Sequence, residues 1–123
     1  VNENDTTATD EIQFGDNDLL AAKLAKIFKA DLLIALSGVE GLYKSFDDEE
    51  KKLKLVRRVS KITKDIYAMA GKASKSGKGG MTSKIDAAKI MLSMNSDMVI
   101  SKGDAISPLI RLKKSSISTW FKK

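Results

Sequence analysis

Cysteine and histidine are both absent from this chain of 123 residues. Without cysteine there is no disulfide framework, no thiolate nucleophile and no thiolate metal site. Without histidine, a Ser/His/Asp triad and the commonest zinc chemistry are excluded too. Long apolar runs are also missing: stretches such as Leu32 to Leu36 are far too short to span a bilayer. No basic, apolar signal segment opens the chain, so a cytoplasmic location is expected. The first residue is Val1, and Val1-Asn-Glu-Asn-Asp5 reads as the end of a strand entering a polar loop. A strand end with nothing before it to pair with suggests a chain that begins inside a domain.

The apolar fraction, 42%, suits one globular domain or part of one. Charge is unevenly spread. Residues 1–50 hold 12 acidic and 4 basic side chains, whereas residues 51–123 hold 4 acidic and 18 basic ones. A basic half invites an anionic partner such as a nucleotide, nucleic acid or acidic lipid, and a solvated lysine-rich surface would look the same. Its aromatics are only Tyr67, Trp120 and Phe121, too few to build the stacking platforms of a nucleic-acid reader.

Asp16 or Asn17 is a good N-cap for a helix in which Leu19, Leu20, Ala22, Leu24, Ile27 and Phe28 recur at helical spacing as far as Ala30. Asp31 to Ser37 is a short continuous apolar run, the pattern of a strand buried on both faces. A turn, Gly38-Val-Glu-Gly-Leu-Tyr43, follows, and residues 44–54 read as a charged surface loop. Leu53 to Val59 alternates weakly, as a short edge strand would, and Asp65 to Ala70 suits a short helix. Residues 71–80, rich in glycine, lysine and serine, read as a mobile loop. Thr82 or Ser83 then caps an amphipathic helix with Ile85, Ala88, Ile90, Met91 and Met94 on its apolar side. A second buried-type strand is expected at 97–101, a helix with an early Pro108 at 105–112, and a terminal strand at 117–121.

Helices alternating with short apolar strands predict an α/β fold with a mainly parallel sheet between helical layers. About three firm strands are too few to bury a parallel sheet, so the three-layer αβα sandwich is expected to be only half present.

Three segments carry candidate chemistry. Gly77-Lys-Gly-Gly-Met-Thr-Ser-Lys84 sits at a helix start, where glycines let backbone N–H groups approach a phosphate and Lys84 adds an ammonium. It is not a Walker A loop: Gly71 and Gly77 are separated by five residues and Lys78 is followed by glycine. A flexible linker before a capped helix would give the same pattern. Gly15-Asp-Asn-Asp18 opens the first helix, as substrate contacts or as simple capping. Asn2-Glu-Asn-Asp5 lies at a presumed strand end, the edge of an open α/β sheet where ligands bind, or forms an ordinary polar turn.

Taken in order, Asn2 to Asp5, Ala8-Thr9, Gly15 to Asp18, Gly41-Leu-Tyr43 and Gly79-Gly-Met-x-x-Lys84 resemble the amino-acid kinase family, and within it the glutamate 5-kinases. The resemblance covers nearly the whole chain and is weakest between residues 44 and 70. It implies one kinase domain over residues 1–123, represented by its C-terminal, nucleotide-binding part, with no separate C-terminal RNA-binding-like domain. It implies phosphorylation of the glutamate side-chain carboxylate by ATP, the first step of proline biosynthesis. Asp5 and Asn17 would bind glutamate, with Asp16 close by. Asp18 would orient the catalytic lysines, and Lys84 would stabilise charge on the transferring phosphoryl group. Ser37 and Gly38 would line the nucleotide pocket, and Lys78, Gly79, Gly80, Met81, Thr82, Ser83 and Lys84 would wrap the ATP phosphates. The cofactors implied are ATP and a magnesium ion bridging its phosphates, with no protein metal ligand. The partners implied are glutamate and ATP, further copies of the chain in a homo-oligomer, and proline as a feedback ligand, with no nucleic acid or membrane. The family's first half, with its own phosphate loop and second catalytic lysine, is not seen here, so the chain reads as incomplete by itself.

Two departures stand out. Ser37-Gly38 replaces the family's usual Thr-Asp, and Lys78 replaces a small or hydroxyl residue. Both favour the alternative reading, a non-catalytic module of the same fold that binds an amino acid or nucleotide.

Overall fold

The computed structural model describes residues 1, 16–46, 52–71, 80–104, 107–114 and 117–123. The first helix, α1 (Asn17–Ile27), begins where the Asp16 carboxylate accepts hydrogen bonds from the N–H groups of Asp18 and Leu19, at 2.8 and 3.0 Å. Asp18 in its first turn and Lys26 in its last both complement the helix dipole. Strand β1 (Leu32–Ser37) follows, then β2 (Tyr43–Phe46), β3 (Lys52–Leu55) and β4 (Arg58–Val59). A short α2 (Lys64–Met69) is capped by Thr63. The second long helix, α3 (Met81–Ser93), leads to β5 (Asp97–Lys102), then α4 (Pro108–Lys114) and β6 (Thr119–Phe121).

Four strands form one sheet in the order β1-β5-β6-β4, and β2 pairs with β3 in a separate antiparallel ribbon. Strands β1 and β5 run parallel, in register from Leu32 with Asp97 to Ser37 with Lys102. Strand β6 is antiparallel to β5 and parallel to β4. The expected α/β architecture with a mainly parallel sheet is therefore present. Helices α1 and α3 pack along each other and onto β1 and β5. Small buried residues on both, Ala22 and Ala25 on α1 and Ala87 and Ala88 on α3, permit that close approach. Ile85, Met91, Met98, Ile100 and Phe121, none with exposed surface, fill the space between helices and sheet.

Several expectations change. Of the charged loop expected at 44–54, residues 47–51 lie outside the described residues, and the rest is strand: Tyr43–Phe46 pairs with Lys52–Leu55 in an antiparallel ribbon. The single edge strand expected at 53–59 is two strands in different sheets, because the chain crosses from one to the other at Val56 and Arg57. Strand β1 is not buried on both faces. It pairs only with β5 among the described residues, and Leu32 and Leu36 stay 39% and 47% exposed. Helix α1 stops at Ile27, leaving Ile27 and Phe28 exposed, and Lys29 turns the chain with a left-handed φ of 51°. A matching left-handed Asn95, at 59°, ends α3, where asparagine is a normal terminator. Helix α4 starts at Pro108, where the absent N–H is not needed. The terminal strand is shorter than expected, Thr119–Phe121.

Candidate functional site

Connections of a few residues, 28–31 and 94–96, join each long helix to the strand it precedes, so α1 runs back along β1 and α3 along β5. Eleven helical residues span about 17 Å, and six strand residues about 20 Å. Both helix N-termini therefore lie near the C-terminal ends of the parallel strands, the edge where open α/β sheets bind ligands.

There the two helices meet through charge. The Lys84 ammonium, in the first turn of α3, donates to Asp18 Oδ2 in the first turn of α1 at 2.8 Å. The two side chains are 12% and 20% exposed. Ser83 Oγ sits between two acceptors, 2.8 Å from the Gly80 carbonyl oxygen and 3.2 Å from Asp18 Oδ2. The expectation that Thr82 or Ser83 caps α3 is thus corrected. Gly80 is the N-cap, in extended backbone, and makes no side-chain cap bond, while the Ser83 hydroxyl faces the Gly80 carbonyl and the Asp18 carboxylate, both acceptors. Thr82 is exposed, and Met81 is half-buried against the core.

The two helix starts differ in what they leave open. On α1 the Asp16 carboxylate already occupies two of the first N–H groups, so one oxygen of this expected glutamate neighbour is engaged by its own helix. On α3 the N-cap glycine supplies no such group, and the helix start carries the partial positive charge of its first-turn N–H groups. Beside this pair, Asn17, Asp18 and Ala21 line a cavity of about 240 Å³ together with Leu33, Ile34, Ala35 and Leu36 of β1.

At the end of β1, Gly103 N–H donates to the Ser37 carbonyl at 2.8 Å, and the Ser37 hydroxyl lies 3.4 Å from Val39 N. A β-carbon built on Gly38 would meet nothing within 4 Å, so glycine is not required there by close packing. Asp5, Lys78 and Gly79, together with Asn2 to Asn4, Ala8, Thr9 and Gly15, lie outside the described residues.

Three features were not foreseen. Tyr67 of α2 donates to Asp86 of α3 at 2.6 Å, and this bond, with burial, raises its hydroxyl pKa to about 12. Tyr43 donates to Glu40 at 2.6 Å, chiefly through which its pKa is also raised, and Arg111 of α4 lies 3.8 Å from the same carboxylate. Thr119 of β6 binds the backbone of Leu42 and Val56. Tyr43 and Glu40 are three residues apart, whereas Tyr67 and Asp86 are separated by 19 and Thr119 and Leu42 by 77, distances over which no local sequence signal marks a partner. Among the described residues no three acidic, cysteine or histidine side chains converge as a metal site, and no helix is long and apolar enough to cross a membrane.

A mixed α/β sheet with a lysine and a carboxylate opposed at two adjoining helix starts defines the architectural class. Within that class the chain belongs to the amino acid kinase family, whose model matches residues 1–102. It is 45% identical over 123 residues to glutamate 5-kinase 1 of Mesorhizobium japonicum, covering 99% of this chain and 32% of that protein. It is 46% identical over 122 residues to the glutamate 5-kinase of Nitrobacter winogradskyi, with 98% and 32% covered. The chain thus spans about a third of the length of these relatives. A solved UMP kinase from Ureaplasma parvum superimposes with a TM-score of 0.56 over 86% of this chain and 41% of that one; at 16% identity it supports the fold alone.

Proposed function

We propose that this chain is the nucleotide-binding portion of a cytoplasmic kinase that transfers the γ-phosphoryl group of ATP to the side-chain carboxylate of glutamate. The observation that carries the proposal is Lys84, held by Asp18 at 2.8 Å beside the uncapped start of α3. An ammonium next to a helix N-terminus is a site for phosphoryl oxygens. Identity near 45% to named glutamate 5-kinases gives the acceptor.

A carboxylate is a nucleophile at neutral pH, so the absence of histidine is no obstacle. One of its oxygens forms a bond to the γ-phosphorus, the bond from that phosphorus to the bridging oxygen of ADP breaks, and the products are an acyl phosphate and ADP. Alignment and charge neutralisation supply most of the rate in such transfers. Lys84 and the α3 N–H groups neutralise charge on the transferring group. Asp18 fixes the ammonium, and Asn17, beside it on the cavity wall, orients glutamate together with Asp5. Ser37, Gly38 and residues 78–84 surround the nucleotide. Magnesium, if carried in with the nucleotide, would add charge neutralisation, while Asp18 is engaged by Lys84.

The test is an assay of the intact protein that carries this chain. With Mg-ATP, ADP release is expected only when glutamate is added, and hydroxylamine should trap the acyl phosphate as a hydroxamate. Nucleotide binding without either product would instead select a non-catalytic binding module, the reading that Gly38 favours.

A further inference from the structure

The turn after β1, Gly38 to Leu42, carries no regular hydrogen bonding of its own, yet its far end is held rigidly. Leu42 N–H donates to Thr119 Oγ1 at 2.8 Å, and the same hydroxyl donates to the Val56 carbonyl at 2.6 Å. Val56 N–H in turn donates to the Leu42 carbonyl at 2.8 Å. Three hydrogen bonds therefore close a ring through Leu42, Val56 and Thr119, with Leu42 1% and Thr119 0% exposed. The seat is tight as well. A β-carbon on Gly41 would lie 2.4 Å from Thr119 Oγ1 and 3.0 Å from Thr119 N, so only glycine lets the turn descend onto β6. The near end of the turn is tied separately, by Gly103 N–H to the Ser37 carbonyl.

We infer that Thr119 is a positioning residue for the nucleotide: its hydroxyl sets the height of the Gly38–Leu42 turn, and so the placement of Ser37 and Gly38 against the bound ATP. This rests on the proposal above that Ser37 and Gly38 border the nucleotide. Valine at 119 would keep the β-branched shape that suits a strand. It would deprive the buried Leu42 N–H of its acceptor and the half-buried Val56 carbonyl of one donor. The turn would then have to rise to find other partners.

The experiment measures Mg-ATP binding by calorimetry, and KM for ATP and for glutamate, in the intact protein, for Thr119→Val, Thr119→Ser and Val59→Ala. Val59 is a buried control on β4, registered with Phe121 and outside the turn. Thr119→Val should weaken Mg-ATP binding about tenfold, the equivalent of one well-made buried hydrogen bond, and raise KM for ATP while leaving KM for glutamate unchanged. Thr119→Ser should bind as the wild type does. Val59→Ala should lower Tm without moving ATP affinity. Unchanged binding in Thr119→Val below its melting temperature overturns the inference, as does an equal loss in Val59→Ala. If Thr119→Val does not fold, Thr119→Cys, with a thiol that hydrogen-bonds poorly, is judged by the same criterion. A wild type that binds Mg-ATP without forming acyl phosphate refutes the kinase reading alone, and the binding series still decides the role of Thr119. A wild type that binds no Mg-ATP refutes both.

Discussion

Strands β1 and β5 are parallel neighbours of equal length, LLIALS and DMVISK, yet they lead different lives. The four central residues of β5, Met98 to Ser101, are all buried, whereas β1 buries none of its residues fully. The difference is position. Strand β5 lies between β1 and β6, with α3 across it, while β1 has a described strand partner on one side only. The molecule accordingly has a stable wall, α3–β5–β6, and an open side, where β1 and the start of α1 face the cavity and the charged pair. Stability should reside in the wall and chemistry on the open side.

The largest effect should come from the wall. Phe121→Ala removes the largest fully buried side chain and should cost about 3–5 kcal/mol of stability, read by denaturant unfolding. A loss under 1 kcal/mol would show that β6 is not part of the core. On the open side, Lys84→Ala should reduce glutamate-dependent ADP formation about a hundredfold, about 2.7 kcal/mol of barrier. Its melting temperature should fall less than that of Phe121→Ala, because Asp18, 20% exposed, keeps the Ser83 hydroxyl beside it and still reaches water. A rate loss of tenfold or less, or a collapse of the fold, would erase the division between the two sides.

Tyr67→Phe tests the join between α2 and α3 and should cost about 1 kcal/mol, the value of a partly exposed hydrogen bond. It also has a pH signature. The folded-state pKa of Tyr67, about 12, lies above the ordinary tyrosine value of 10.0. Its contribution is therefore fully present below pH 10 and disappears as pH rises toward 12. The Phe variant should lose less stability than the wild type across that window, and parallel pH profiles would remove the bond from the account. Leu36→Ala, on half-exposed β1, should cost under about 1 kcal/mol. If it equals Phe121→Ala, the contrast between the strands fails.

The two strands, though not the division between them, were legible before the structure. The apolar runs at 31–37 and 97–101 marked the two parallel strands, because uninterrupted apolar residues have no other stable place in an α/β chain. Asp16 was recognisable as a cap, and Lys84 as a first-turn cation, since both signals are local. The ribbon at 43–55 was hidden by its lysines, which suit an exposed edge as well as a loop. The start of α3 was misjudged because a hydroxyl suggests a cap even when glycine performs that task.

By itself, then, the sequence determined the elements, their order and the residues able to grip an anion, since helix and strand periodicity, caps and glycine-rich turns act over a few positions. Tertiary structure alone decided which strand is covered and that Thr119 underlies a turn 77 residues away, while the meeting of Asp18 and Lys84 across 66 residues was implied by family resemblance and by no local pattern. Those pairings depend on how helices settle on a sheet, and packing over such separations leaves no periodic trace in the chain.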